Sequence, residues 1–174
     1  LKGWITDGSR CVTIRPAAGQ GHTGKRKDGT GKYTGFTLKS TLDTRSTAHT
    51  RLDRLVVDGG AYIYTGPGSS VSRVIAGITY MATKGATVAN SVLDGGVVDS
   101  GGGYTWSENR FYNCTVKTLN TKGVFVNCIA MPGTPLTLVG AATPAWFMSH
   151  CVSTNGGATA GNTWADGREG NVAN

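Results

Sequence analysis

Four segments in the second half of the chain fall into one register: VANSVL (Val88–Leu93), FYNCTV (Phe111–Val116), FVNCIA (Phe125–Ala130) and MSHCVS (Met148–Ser153). Each opens on an apolar residue, reaches Ser or Cys three positions later and closes two positions beyond that. Ser91, Cys114, Cys128 and Cys151 therefore share one place, at intervals of 23, 14 and 23 residues. Asn90, Asn113 and Asn127 precede the first three, and His150 precedes the fourth. Stepping back a further 14 residues reaches Gly77 in VIAGIT, which fits the pattern less closely.

A coiled stack of parallel strands accounts for this pattern. Each coil sets a side chain directly above its counterpart, one strand spacing of ~4.8 Å away. Small Ser and Cys side chains can fill a narrow interior column without voids. Asn above Asn can bridge coils through its amides. Asn also tolerates the left-handed backbone that a sharp bend between strands demands. This reading ends one strand at Phe111, Phe125 or Met148 and begins the next at the Cys.

NCTV, VNCIA and SHCVS resemble the Asn-bend register of right-handed parallel β-helix proteins, the pectate-lyase-like superfamily. The opening SRCVTIRPAAGQG (Ser9–Gly21) is similar to the first coils of secreted and phage-encoded solenoids. Coils in such solenoids usually run to about twenty residues or more. The 14-residue step then implies either minimal turns or a slipped register. The competing all-β architecture is a sandwich or jelly roll, whose hairpins could use Asp58-Gly59-Gly60 and Asp94-Gly95-Gly96.

Composition agrees with an all-β chain. Of 174 residues 27 are Gly and only 16% are charged, and helix-favouring windows are nearly absent. Short runs of Val, Ile, Thr, Tyr and Phe are punctuated by Gly, Asn, Asp and Pro. The net charge of +7 lies in the first third: residues 1–54 hold 11 Lys and Arg against 4 Asp and Glu, and the rest is neutral. Lys25, Arg26, Lys27 and Lys32 are the densest part, a patch suited to phosphates, acidic sugars or an acidic protein surface. No apolar run reaches membrane-spanning length. The chain reads as one domain, 1–174, belonging to a longer protein. Its N-terminal third is basic and its best-defined coils run from 88 to 153.

The basic patch lies in GQGHTGKRKDGTGKYTG (Gly19–Gly35), where Gly19, Gly21 and Gly24 spell G-x-G-x-x-G. A phosphate grip needs a helix at its end and a hydroxyl residue after the Lys. Arg26 holds that position and no helical pattern follows, so the stretch reads as a long excursion between strands and no nucleotide is expected.

The cysteine register favours free thiols over disulfides. No C-x-x-C or H-x₃-H spacing suggests a metal, and no cofactor is expected. Asn113-Cys114-Thr115 is a glycosylation sequon, discounted because it would fall in a buried bend. The resemblance raises the question of catalysis, since its enzymes work beside carboxylates with Ca²⁺ or with paired acids. Candidate acids are Asp58, Asp94 and Asp99, with Arg110 and Lys122 as possible bases. Asp58 and Asp94 stand before Gly pairs as ordinary turn formers, and no acidic cluster occurs. Among the aromatics Tyr62, Tyr64, Tyr80, Tyr104 and Trp106, the pair Tyr62 and Tyr64 shares one face of AYIYTG and could stack on a sugar.

These observations lead to an all-β, right-handed parallel β-helix (solenoid) with long Gly-rich loop excursions. The expected role is non-catalytic: a structural or adhesive phage virion appendage, decoration or fibre component, extracellular or on the virion surface. It would self-associate, for instance as a trimer, or dock on a larger assembly or a surface glycan. The alternatives are a polysaccharide lyase or glycoside hydrolase acting on an acidic polysaccharide, and a carbohydrate-binding module.

Overall fold

Among the described residues six with side chains hold the backbone at positive φ, and five of them recur once per coil. Arg54, Arg73, Asn90, Asn113 and Asn127 have φ between 51° and 55°. At each the chain leaves one strand and enters the next after a single intervening residue, so one left-handed residue makes the whole corner. Asn adopts this conformation readily, whereas Arg does so only where neighbouring coils hold it there. The computed structural model describes residues 4–25, 32–58, 61–76, 79–81, 85–93, 97–99, 109–116, 119–120, 123–130, 146–149, 152–153 and 172–173.

These corners join three all-parallel sheets. The first contains, in spatial order, Val12–Ile14, Thr50–Asp53, Ser70–Ser72, Thr87–Ala89, Asn109–Tyr112, Gly123–Val126 and Trp146–Ser149. The second contains Thr37–Leu38, Val56–Val57, Ile75–Ala76, Val92–Leu93, Thr115–Val116, Ile129–Ala130, Val152–Ser153 and Val172–Ala173. The third runs from Leu42–Asp43 through Ile63–Thr65, Thr79–Met81 and Val97–Asp99 to Leu119–Asn120. Spatial order follows chain order in every sheet, and the chain visits the sheets in rotation. Among the described residues there is no helix. This topology is consistent with a β-solenoid and excludes the hairpin-built sandwich, whose strands would pair antiparallel.

The register corrects two details of the sequence reading. Val92 pairs with Ile75 and Ile75 with Val56, so the position before each of these belongs to Leu55, Val74 and Ser91. Val74, not Gly77, holds the column site. Strands also run past the predicted ends at Phe111 and Phe125 to Tyr112 and Val126, and the next strands start at Thr115 and Ile129, after the Cys. The 14-residue step proves to be a coil with minimal turns. Thr115–Val116, Leu119–Asn120 and Gly123–Val126 are separated by two residues each.

Stacking of like on like builds the core. Leu52, Val71, Val88, Phe111 and Phe125 succeed one another in register on the first sheet, all at most 1% exposed. The Phe111 and Phe125 rings lie parallel, with centroids 4.6 Å apart and planes 6° apart. Val57, Ala76, Leu93 and Val116 form the corresponding column on the second sheet, also buried. Each Leu, Val and Phe side chain in these columns contributes about 1.5–3 kcal/mol through its removal from water.

A second corner, before the first-sheet strands, uses His49, Gly68 and Gly85, again at positive φ. The next residues, Thr50, Ser69 and Ala86, are buried, as is Asn109, which stands in register with Ala86 one coil on. Here side chains replace ladder bonds that the corner interrupts. Ser69 Oγ accepts from the Thr50 N–H at 3.2 Å, and Asn109 Oδ1 accepts from the Ala86 N–H at 3.1 Å. In both cases the acceptor sits one coil above the donor. An unmet buried amide is costly, so this accounts for polar residues in the interior.

Candidate functional site

The bend column carries two chemistries. Between Asn90 and Asn127 it is an amide ladder: Asn113 Nδ2 donates to Asn90 Oδ1 at 3.0 Å, and Asn127 Nδ2 donates to Asn113 Oδ1 at 3.2 Å. Behind it, Ser91, Cys114 and Cys128 each donate to the carbonyl two residues earlier, at 2.8, 3.2 and 3.4 Å. Ser91 Oγ also accepts the Val74 N–H at 3.1 Å. The small donors at this place therefore fill the column and satisfy backbone groups at the turn. A hydrogen bond with Cys128 draws the Cys114 thiol pKa down, opposed by desolvation and aided by backbone hydrogen bonds. Cys11, Cys114 and Cys128 are free thiols, the last two buried. Asn113 is exposed, so the bend is not buried at the sequon as the sequence reading supposed. His150 and Cys151 lie outside the described residues.

In the earlier coils the same column presents guanidinium groups. Arg54 and Arg73 occupy the corner, and Asp53 stands beside them. Arg73 grips Asp53 with two bonds, Nε to Oδ1 at 2.8 Å and Nη2 to Oδ2 at 2.7 Å. Arg54 Nε lies 4.0 Å from the same carboxylate.

The Gly-rich excursion enters at this corner. Ile14 pairs with Leu52 and Thr37 with Val56, so everything from Arg15 to Phe36 replaces one bend of the first coil. The excursion folds back over the Arg column and is pinned there. The Phe36 N–H donates to Gln20 O at 2.8 Å, and the Thr34 N–H to Lys25 O at 3.0 Å. His22 bonds through Nε2 to the Arg73 carbonyl, while its Nδ1 accepts the Gly24 N–H at 3.2 Å. That arrangement assigns the proton to Nε2. Gly35, at φ +106°, lies so close to His22 that a Cβ there would sit 2.6 Å from its Cα and N. Only Gly meets both requirements.

Between excursion and column lies an open cleft of about 810 Å³, lined in part by Arg15, Ala18, His22, Asp53, Arg54 and Arg73. Lys25 and Lys32 lie nearby in sequence and are exposed, whereas Arg26 and Lys27 lie outside the described residues. The sequence reading missed Arg15, Arg54 and Arg73. DRLVV (Asp53–Val57) and SRVIA (Ser72–Ala76) do match the Asn-bend segments in register, but Arg in place of Asn hid the correspondence.

Of the aromatic pair, Tyr64 lies on the third sheet and Tyr62 immediately precedes the same strand, Ile63–Thr65. Ile63 and Thr65 point inward with no exposure, which turns Tyr62 and Tyr64 outward. Their rings meet edge to face, centroids 6.1 Å apart. The Arg45 guanidinium covers one face of Tyr64 at 4.3 Å and binds Asp43 through Nε at 2.9 Å. That contact holds the Asp43 carboxyl below its ordinary range. Asp58 directly follows the second-sheet strand Val56–Val57, Asp99 belongs to the third sheet and Arg110 to the first. Asp94 and Lys122 lie outside the described residues, as do Tyr104 and Trp106. Among the described residues no group of three His, Cys, Asp or Glu side chains could hold a metal ion, and no helix is long and apolar enough to cross a membrane. Comparison with family models, curated proteins and solved structures finds no match.

Proposed function

We propose that the chain is a right-handed parallel β-helix of the pectate-lyase-like kind, working as a non-catalytic structural and adhesive element. Its place is a virion appendage, decoration or fibre outside the cell, attached to a larger assembly or to a surface glycan. The observation that carries this reading is the continuous bend column from Arg54 to Asn127. Every corner repeats in register, so backbone bonds run from coil to coil and the stack gains stiffness along its axis. Such a column suits bearing load and presenting a surface.

Attachment has a physical motive at the first coil. Among the described residues Val12–Ile14 pairs on one side only, leaving an open parallel edge. Open edges invite pairing with another chain. Trp4 and Ile5, just ahead of that strand in sequence, are 62% and 87% exposed. Phe36, where the excursion rejoins the second sheet, is 45% exposed.

Sedimentation and electron microscopy of the purified chain test the reading. The expected result is an elongated particle that self-associates or joins a larger assembly, with association weakened by Trp4→Ser and Ile5→Ser. A compact monomer at high concentration, unaltered by those changes, counts against it. Turnover of polyuronates or bacterial glycans, with or without Ca²⁺, that is lost in Asp94→Ala or Asp99→Ala replaces it with a lyase or hydrolase.

A further inference from the structure

We propose that the cleft between the Gly-rich excursion and the Arg corner column is a binding site for a phosphomonoester carried on a small hydroxyl-rich body, a sugar phosphate in chemical class. This deepens the adhesive reading above and rests on it, because it supplies the group that the basic third recognises.

Charge is the first argument. Arg15, Arg54 and Arg73 line the cleft together with one carboxylate, Asp53, which among the described residues leaves two positive charges uncompensated there. The Asp53 carboxylate is engaged by both bonds from Arg73, and Arg54 reaches it only at 4.0 Å. Arg15 has no acidic partner among the described residues. A phosphomonoester carries about −1.5 to −2 charges near neutrality and three acceptor oxygens. It matches two guanidinium forks, whereas a single carboxylate would leave one of them unpaired.

Preorganisation is the second argument. Arg54 and Arg73 leave the backbone at fixed left-handed corners one coil apart, which sets their Cα atoms ~4.8 Å apart. Asp53 then orients Arg73 by two-point contact, and the excursion is anchored to the same column through His22 and the Arg73 carbonyl. The backbone of the site and the Arg73 guanidinium are thus in place before any ligand arrives, and only the Arg15 and Arg54 side chains remain to be ordered on binding. Size and lining are the third. A space of about 810 Å³ exceeds what an isolated phosphate needs. Among the residues that line it, none is Phe, Tyr or Trp, and the one imidazole, His22, is tied through both ring nitrogens to the Arg73 carbonyl and the Gly24 N–H, so no large aromatic face is supplied for a nucleobase.

The test is binding of a hexose 6-phosphate to the whole chain at low ionic strength, followed by titration calorimetry. The unphosphorylated hexose, a hexuronate, inorganic phosphate and adenosine monophosphate serve as comparisons. The expected result is saturable binding of the hexose phosphate, weaker binding of inorganic phosphate and of the hexuronate, no binding of the neutral hexose, and no gain from the adenine ring. Arg15→Gln and Arg54→Gln should each weaken binding about tenfold, the loss of one charge-assisted contact. Arg15 is exposed and lies outside the corner column, so thermal unfolding of Arg15→Gln should match the parent. Asp53→Asn keeps an amide oxygen as acceptor for Arg73 while removing the negative charge that competes with the phosphate, so binding should tighten several-fold, a gain that misfolding cannot produce. Equal affinity for the hexuronate, indifference to all three substitutions, or no binding at millimolar ligand overturns the proposal. Loss of the phosphate site with self-association intact sinks this inference alone; loss of self-association with phosphate binding intact sinks the structural reading and leaves the site.

Discussion

Replacing Asn113 separates the two tasks that the bend column performs. Asn113 holds φ at 51°, donates to Asn90 and accepts from Asn127. Removing the amide costs both bonds, about 0.5–1 kcal/mol each at an exposed position. A side chain that resists the left-handed region adds about 1–2 kcal/mol more. Asn113→Gly loses the bonds but accepts the backbone, and greater freedom in the unfolded chain brings its total to about 1.5–3 kcal/mol. Asn113→Ala adds the backbone term instead, for about 2–4 kcal/mol. Asn113→Val sets a β-branched residue at positive φ and should exceed the Ala loss, at about 4 kcal/mol or more. Guanidinium unfolding followed by far-ultraviolet circular dichroism should rank the midpoints parent, Gly, Ala, Val. A double-mutant cycle between Asn90→Ala and Asn113→Ala should show coupling of about 0.5–1 kcal/mol. If Gly is as harmful as Val, the corner does not limit stability. If Ala leaves the midpoint unchanged, the ladder does not contribute, and the account of the corners fails.

Phe111→Ala should cost about 3–5 kcal/mol, because the ring is fully buried and stacked on Phe125; equilibrium unfolding that shows a loss below 1 kcal/mol contradicts that packing. Gly66→Ala should cost about 2–3 kcal/mol, since a Cβ there meets the Thr47 and Thr44 carbonyl oxygens at 2.4 and 2.7 Å and backbone cannot readily move aside. Asp43 is held below its ordinary value of 3.8 by Arg45, so its contribution is present above that value and lost as pH falls through the lowered one. Asp43→Asn should lower the thermal midpoint slightly near pH 6, by the equivalent of less than about 1 kcal/mol for so exposed a pair, with the gap closing in strong acid. In native protein, thiol alkylation mapped by mass spectrometry should mark Cys11 well before the buried Cys114 and Cys128, and equal rates would refute the packed column.

The second-half register was legible from residues alone because local chemistry repeats there. Asn is among the few residues at ease at positive φ, and Ser or Cys is small enough to stack while still bonding a carbonyl. Asn90-Ser91, Asn113-Cys114 and Asn127-Cys128 announce the corner by composition. Nothing comparable marks Arg54-Leu55 or Arg73-Val74. Those residues take the left-handed conformation because parallel pairing on both flanks holds them in it, a tertiary constraint that overrides preference.

What the chain alone determined, then, is its all-β character, the stacked parallel strands and the place of the Asn corners. The tertiary structure decided which residues become neighbours. Successive corners lie 19, 17, 23 and 14 residues apart, yet each sits directly over the last. Interstrand hydrogen bonds set that distance, and the excess chain is put out as loops. Arg15 and Arg54 share a cleft for this reason, because an excursion at one corner is laid across the corner above it. Sequence spacing carries no record of that contact, since loop length can vary at little energetic cost while the coil register cannot.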